Sequence, residues 1–423
     1  MALTLAQKIL AAHSTTPASE ADVAPGAIVH CHIDIALAND ITAPLSIKSL
    51  KEMGAERVFD KDRVVLVMDH FTPQKDIASA EQVLISRAFA EEQNLTHYYE
   101  GGNAGIEHAL LPEKGIVAPG DLVVGADSHT CTYGGIGAFA TGWGSTDVAG
   151  AMALGESWFK VPETIRVTFD GTLGPFVSGK DLILWTIGQI GVDGAHYMAL
   201  EFDGSTISNL SVEGRLTMAN MAIEAGAKVG LFASDEATVA YCQKAGRADT
   251  RTLYPDAGAT YARHIHCDVT NLKPLVACPH LPENTRPVNE VKGVTVNQVI
   301  IGSCTNGRIE DMRVAASILK GRKVKRNLRC IILPATPAVW MNALKEGLVE
   351  IFLEAGCVVG PASCGPCLGG HLGILAGGER AIATTNRNFK GRMGSLESEV
   401  YLANPAVAAA SAITGCITDP ATL

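Results

Sequence analysis

An α/β protein built on parallel sheets is what this sequence predicts, and three observations predict it. Short β-rich runs alternate with stretches of helical periodicity, the order that builds parallel sheets with crossover helices. Glycine supplies 43 of the 423 residues while aromatics make up 5%, which suits tightly wound layers with many strand-to-helix turns better than an all-β sandwich. Clusters of His, Cys, Asp and Arg also recur directly after apolar runs, where open parallel sheets place their ligand-binding loops.

The strand-like runs are Arg63–Met68, Asp121–Val124, Ile165–Phe169, Asn297–Ile301, Leu328–Leu333, Cys357–Val359 and Ala381–Ala383, with helical patterns over Ser79–Gln93, Met218–Ala227 and Ile309–Lys320. A chain of this length holds roughly two to four domains. One boundary is expected near Phe159–Thr164, where a Gly/Ala-rich helical stretch gives way to a strand. The other is expected in Lys273–Asn289, where Pro274, Pro279, Pro282 and Pro287 read as a stiff linker. The expected domains are 1–162, 163–285 and 286–423.

Composition narrows the function classes. Hydrophobic residues make up 47% and charged residues 18%, against a disordered chain, a coiled coil or a fibre. The longest apolar stretches, such as Val407–Ile413, fall short of the roughly 18 residues of a membrane helix. A net charge of −10, from 34 basic and 44 acidic residues, argues against nucleic-acid binding. The start of the chain has no apolar h-region, and the eleven cysteines are an odd number. A disulfide framework is therefore not expected, and the compartment is expected to be reducing and cytoplasmic.

Five polar clusters carry the chemistry. Asp69-His70, Asp127-Ser128-His129, Ser303-Cys304-Thr305-Asn306, Ser363-Cys364 and Asn386-Arg387 each trail an apolar run. Cys364-Gly365-Pro366-Cys367 is a CxxC, open to three readings: two packed thiols, a thioredoxin-like redox pair, or a metal clip. The redox reading fits badly with a chain this long and with Gly-rich sequence on both sides. Cys304, inside Gly302-Ser303-Cys304-Thr305-Asn306-Gly307-Arg308, adds a third thiol and favours metal. Zinc would need a fourth ligand or a water, whereas an iron–sulfur cluster of four irons held at three corners would leave one iron free as a Lewis acid.

These motifs, followed by Asn386-Arg387-Asn388-Phe389-Lys390-Gly391-Arg392, resemble the aconitase superfamily, and within it the large subunits of its two-subunit members. The likeness runs from Ala6-Gln7-Lys8-Ile9-Leu10 through the Asn-Arg-Asn-Phe motif and beyond. It implies an aconitase-like large-subunit fold, three α/β/α domains around a central cluster site, without the swivelling fourth domain. It implies one 4Fe–4S cluster held by Cys304, Cys364 and Cys367 with one iron open to substrate, and Asn220 and Asn386 in contact with it. His70, His108 and His129 match three active-site histidines, with Asp69 beside His70, Asp127 paired with His108 and Glu224 paired with His129. Asn220 and Glu224, four apart in the expected helix, would share one face. Ser128, Arg387 and Arg392 match substrate contacts; guanidinium forks suit carboxylates. Where aconitase has a substrate-contacting Gln, this chain places Asn39, a shorter amide that argues against citrate.

The implied reaction is elimination and readdition of water on a 2-hydroxy dicarboxylate, converting 2-isopropylmalate to 3-isopropylmalate in leucine biosynthesis. The resemblance assigns the carbon base to a Ser on the swivelling domain, which two-subunit relatives carry on a separate small subunit, so this chain is expected to need that partner. Homoaconitase and 2,3-dimethylmalate dehydratase large subunits share the layout and are the alternative activities. A cluster-free RNA-binding protein or a structural zinc protein is the alternative outside catalysis.

Overall fold

A computed structural model describes residues 2–17, 19 and 22–423. Three parallel-rich sheets follow one another along the chain. The first has five strands, all parallel, in the order His97–Tyr99, Val64–Val67, Ile35–Asn39, Leu122–Gly125, Phe139–Gly142. Its middle strands are buried on both faces and read as continuous apolar runs, as parallel strands covered by helices do. Strand Glu156–Lys160 then runs back antiparallel to Ile28–His32 as a two-stranded ribbon.

A four-stranded parallel sheet comes next, in the order Val229–Phe232, Ala199–Asp203, Thr164–Asp170, Arg263–Asp268. The seven-stranded sheet is ordered Thr285–Pro287, Leu275–Ala277, Glu399–Ala403, Arg380–Ala383, Gln298–Gly302, Arg329–Leu333, Val358–Val359. Its last five strands are parallel, and the first two pair antiparallel at one edge.

Two expectations need correcting. Lys273–Asn289 is not a linker, because it supplies both antiparallel strands of that edge. Its prolines misled: Pro287 lies in the outermost strand, where a missing N–H costs no ladder bond. The helix expected at Met218–Ala227 instead spans Val212–Asn220 and passes into a 3₁₀ turn over Met221–Ala225. Ser211 fixes the earlier start by accepting from the Gly214 N–H at 3.0 Å. Gly214 and the buried Arg215 and Thr217 hid that turn from an apolar pattern. Asn220 and Glu224 therefore straddle a helix–3₁₀ junction.

The sheets position function through their carboxyl ends. Ile35–Asn39, Val64–Val67 and Leu122–Gly125 of the first sheet lead into Asn39, Asp69-His70 and Asp127–His129. Gln298–Gly302, Val358–Val359 and Arg380–Ala383 of the seven-stranded sheet lead into Cys304, Cys364 and Asn386-Arg387. Hydrogen bonds between the two sets of loops, such as Cys364 N–H to the Asp69 carbonyl at 3.2 Å, tie them together.

Candidate active site

The loops converge on a cavity of about 200 Å³, lined among others by Asn39, Asp69, His70, Glu107, His108, Asp127, Ser128, His129, Cys304, Cys364, Cys367, Asn386, Arg387 and Arg392. Chemistry, not size, marks it: a hollow of about 940 Å³ beside Leu50–Lys61 is lined by neither cysteine nor histidine. Asn220 and Glu224 stand one layer behind the wall. All fifteen residues singled out from the sequence thus lie in or directly behind one cavity.

Cys304 is reached by a tight turn. Gly302 has no side chain where a Cβ would meet the Leu333 carbonyl oxygen at 2.3 Å, and Ser303 holds φ 75°, a strained conformation of the kind that collects at functional sites. Two amides face the sulfur: Asn220 Nδ2 donates to Cys304 Sγ at 3.2 Å and Asn386 Nδ2 at 3.4 Å. Asn386 Oδ1 lies 3.3 Å from Cys367 Sγ. Burial and the neighbouring Cys367 push the Cys304 thiol up to about 12. Cys367 is held well below the usual thiol range by the Cys364 S–H, with Arg392, His129 and Arg387 adding to it.

The histidines each meet a carboxylate. His70 Nδ1 lies 2.7 Å from Asp69 Oδ1, His108 Nε2 lies 2.9 Å from Asp127 Oδ1, and His129 Nε2 lies 3.1 Å from Glu224 Oε1. Burial pulls the His70 imidazole down, but Asp69, Asp127 and Asp40 outweigh it and raise it well above its ordinary 6.5. Burial wins at His108, which falls below 6.5. Asp127 would be raised by burial, yet bonds from His108, His129 and His70 take it well below the usual carboxylate range. Their neighbours thus push the His70 and His108 imidazoles in opposite directions from 6.5.

Arg387 Nε donates to Glu224 Oε1 at 2.6 Å, while the buried Arg392 Nε has no partner among the described residues. Asn39 is committed locally: its Nδ2 donates to Glu107 Oε1 at 3.0 Å and its Oδ1 accepts from the Ile41 N–H at 3.1 Å.

Three residues escaped the sequence reading. Asp40 accepts the backbone N–H of His70 at 3.1 Å and of Phe71 at 2.8 Å. Glu107, fully buried, lines the cavity; a carboxylate inside the apolar run Ile106–Leu111 was its available signal. Lys180 left no signal, because a lysine in a first helical turn reads as solvated. It is buried, and Nζ donates to the carbonyls of Thr384 at 2.9 Å and Thr385 at 2.5 Å, pinning the loop that carries Asn386 and Arg387. Burial pulls its ammonium down to about 7. Lys180→Met strands both carbonyls, so a loss of about 2–6 kcal/mol is expected in urea unfolding, from about 1–3 kcal/mol per buried unsatisfied group. A variant as stable as the parent would show that the loop is held by other contacts.

Among the described residues, sets of ligand atoms all within 4.8 Å of one another are Asp40–Asp69–His70 and Glu107–His108–Asp127. Both are internally paired histidine–carboxylate groups. The three cysteine sulfurs form no set that tight.

An aconitase family model, described as aconitate hydratase, matches residues 7–292 and 284–415. The chain is 70% identical over 423 residues, all of both chains, to the 3-isopropylmalate dehydratase large subunit of Nitratidesulfovibrio vulgaris (strain DSM 19637 / Miyazaki F). It is 61% identical over 420 residues, 99% of both, to the protein of that name from Moorella thermoacetica. A solved structure, the holo-form of Thermococcus kodakaraensis aconitase X, aligns over 84% of both chains at 13% identity and a TM-score of 0.48. With the family pattern running through nearly its whole length and relatives matching it end to end, the chain belongs to the aconitase family.

Proposed function

We propose that this chain is the large subunit of a hydro-lyase that interconverts 2-isopropylmalate and 3-isopropylmalate in leucine biosynthesis, working with a small subunit. The observation that carries the reading is one cavity lined by three thiols, two arginines and three histidines, each histidine paired with a carboxylate, in a chain 70% identical end to end to a protein named for that activity. The three successive sheets are read as three domains around it, with the third beginning near Leu275 because that strand belongs to the seven-stranded sheet.

Aconitase-family proteins carry a 4Fe–4S cluster, and Cys304, Cys364 and Cys367 are its ligands here. A single tetrahedral ion would draw sulfurs to about 3.8 Å, given zinc–sulfur bonds of about 2.3 Å; sulfurs spread beyond a 4.8 Å set favour a larger guest. The amides of Asn220 and Asn386, donating to Cys304 Sγ, suit an anionic sulfur ligand. When bound, the cluster supplies a Lewis-acidic iron toward the substrate hydroxyl.

The chain's own residues do the rest. His70, cationic between Asp69 and Asp127, gives its proton to the departing hydroxyl, so that water leaves. Asp69 fixes the ring through Nδ1 and leaves Nε2 as the proton-bearing atom facing the cavity. Arg387 and Arg392 hold substrate carboxylates, and Glu224 orients both Arg387 and His129. The base for the carbon-bound proton comes from the small subunit, and readdition of water at the neighbouring carbon moves the hydroxyl.

The test is an anaerobic hydratase assay after iron–sulfide reconstitution, with and without the small subunit. Substrates are 2-isopropylmalate, homocitrate-type acids, 2,3-dimethylmalate and citrate. Turnover of 2-isopropylmalate in the two-subunit complex alone is expected. Turnover by this chain without a partner would overturn the split site, and preference for another acid would overturn the substrate.

A further inference from the structure

Glu107 has no part in the reaction just drawn, yet it sits in the cavity wall, completely buried. Its backbone is fixed on both sides: the N–H donates to Asp69 Oδ2 at 2.7 Å, and the carbonyl accepts from the Tyr133 hydroxyl at 3.2 Å. In the side chain, Oε1 accepts from Asn39 Nδ2 at 3.0 Å and lies 3.5 Å from His108 Nε2. Oε2 is buried and has no partner among the described residues.

A carboxyl so placed has two possible states, and its surroundings choose between them. An ionised carboxylate would face Asp69 and Asp127, with His108 Nε2 already bonded to Asp127. Its unbonded oxygen would be a buried charge without a donor, which is costly. A neutral carboxylic acid meets the same geometry without conflict. Its carbonyl oxygen takes the Asn39 amide, and its O–H, on the unpartnered side, is left seeking an acceptor. Burial first, then Asp69 and Asp127, drives this carboxyl well above the usual range, in agreement. Among the described residues that side of the carboxyl has no hydrogen-bond partner, so its acceptor comes from what fills the cavity.

We propose that Glu107 is a substrate-binding residue: a neutral carboxylic acid, oriented by Asn39, that donates its O–H to a carboxylate oxygen of the bound 2-hydroxy acid. This rests on the dehydratase reading for the identity of the ligand, though not for the state of the side chain. It also gives Asn39 a different task from a substrate-contacting amide: it orients the acid and thereby selects which oxygen donates.

The experiment uses the reconstituted two-subunit enzyme with Glu107→Leu and Glu107→Gln, together with infrared difference spectra of the parent against Glu107→Gln, with and without 2-isopropylmalate. Glu107→Leu, which cannot donate, is expected to raise KM about 10- to 150-fold, the worth of a hydrogen bond to a charged group. Glu107→Gln, neutral and still a donor, is expected to recover most of that loss. The parent is expected to show a protonated-carboxyl C=O band that Glu107→Gln lacks and that shifts on adding substrate. Gln as damaging as Leu, or Leu without effect on KM, would overturn the proposal. If Glu107→Leu does not fold, the infrared band decides: present and substrate-sensitive supports the proposal, absent overturns it. A parent complex inactive on 2-isopropylmalate, whose band still shifts with another 2-hydroxy dicarboxylate, would sink the substrate assignment and leave Glu107's role standing.

Discussion

Replacing Cys304, Cys364 or Cys367 with serine is expected to abolish the visible iron–sulfur absorbance of the reconstituted chain. The same change should lower activity of the two-subunit enzyme by well over 100-fold. The magnitude follows from rank. Loss of an outer partner of a metal ligand costs about 10- to 100-fold, and a cluster held by three cysteines has no spare ligand. Asn220→Ala and Asn386→Ala, which remove amide donors from Cys304 Sγ while leaving the thiols in place, belong to that outer rank and are expected to weaken cluster retention by about 10- to 100-fold. Cys330→Ala is the control: that thiol is buried in the seven-stranded sheet next to Cys357, away from the cavity. It should change neither absorbance nor turnover. Iron content and absorbance, read before any assay, separate a lost cluster from a lost reaction. Thiol–disulfide exchange that survives the loss of Cys304 would instead favour the CxxC as a redox pair.

How much of this was legible in the sequence depends on the reach of each signal. The strands that feed the cavity were readable because parallel strands buried on both faces are continuous apolar runs; Arg63–Met68 and Leu328–Leu333 differ from the observed Val64–Val67 and Arg329–Leu333 by a single residue at most ends. The polar clusters were readable through their position, since the loop directly after such a strand is where a parallel sheet presents side chains to a ligand. What failed was context carried by distant chain. Lys273–Asn289 reads as a linker until the strand Glu399–Ala403 arrives to pair with it. Lys180 reads as solvated until Thr384 and Thr385, more than 200 residues away, close over it. Glu107 is the intermediate case, because it stands beside a histidine that the motif did mark, and its side chain is bonded by Asn39, 68 residues earlier. Spacing finds candidate ligands and strand ends; it does not find the groups whose role is fixed by burial.

The proposed proton donor, His70, can be tested through its carboxylate partner Asp69. His70→Gln removes the acid and is expected to lower kcat by about 10²- to 10⁴-fold, the usual worth of positioned acid–base catalysis. Asp69→Asn is the more informative change. Its amide oxygen can keep the bond from the Glu107 N–H, at 2.7 Å in the parent, while its NH₂ turns toward His70 Nδ1. A donor facing Nδ1 favours the neutral ring, and the charge that most strongly opposes the desolvation of His70 is gone. The sign then follows. An imidazole raised above 6.5 by its carboxylates stays protonated to higher pH, and a general acid works only while protonated, so activity declines as pH rises through its pKa. Lowering that pKa moves the alkaline limb of the kcat profile to lower pH and leaves the loss smallest on the acid side. The same shift bears on stability: a histidine whose folded pKa is raised contributes fully below its unfolded value and loses the contribution as pH rises through the folded one. Asp69→Asn is therefore expected to narrow the stability gap between slightly acidic and alkaline buffer. A pH–rate profile of the variant that keeps the parent's alkaline limb would show that another group delivers the proton. His108, held by Asp127 in the same cavity, would be the next to test.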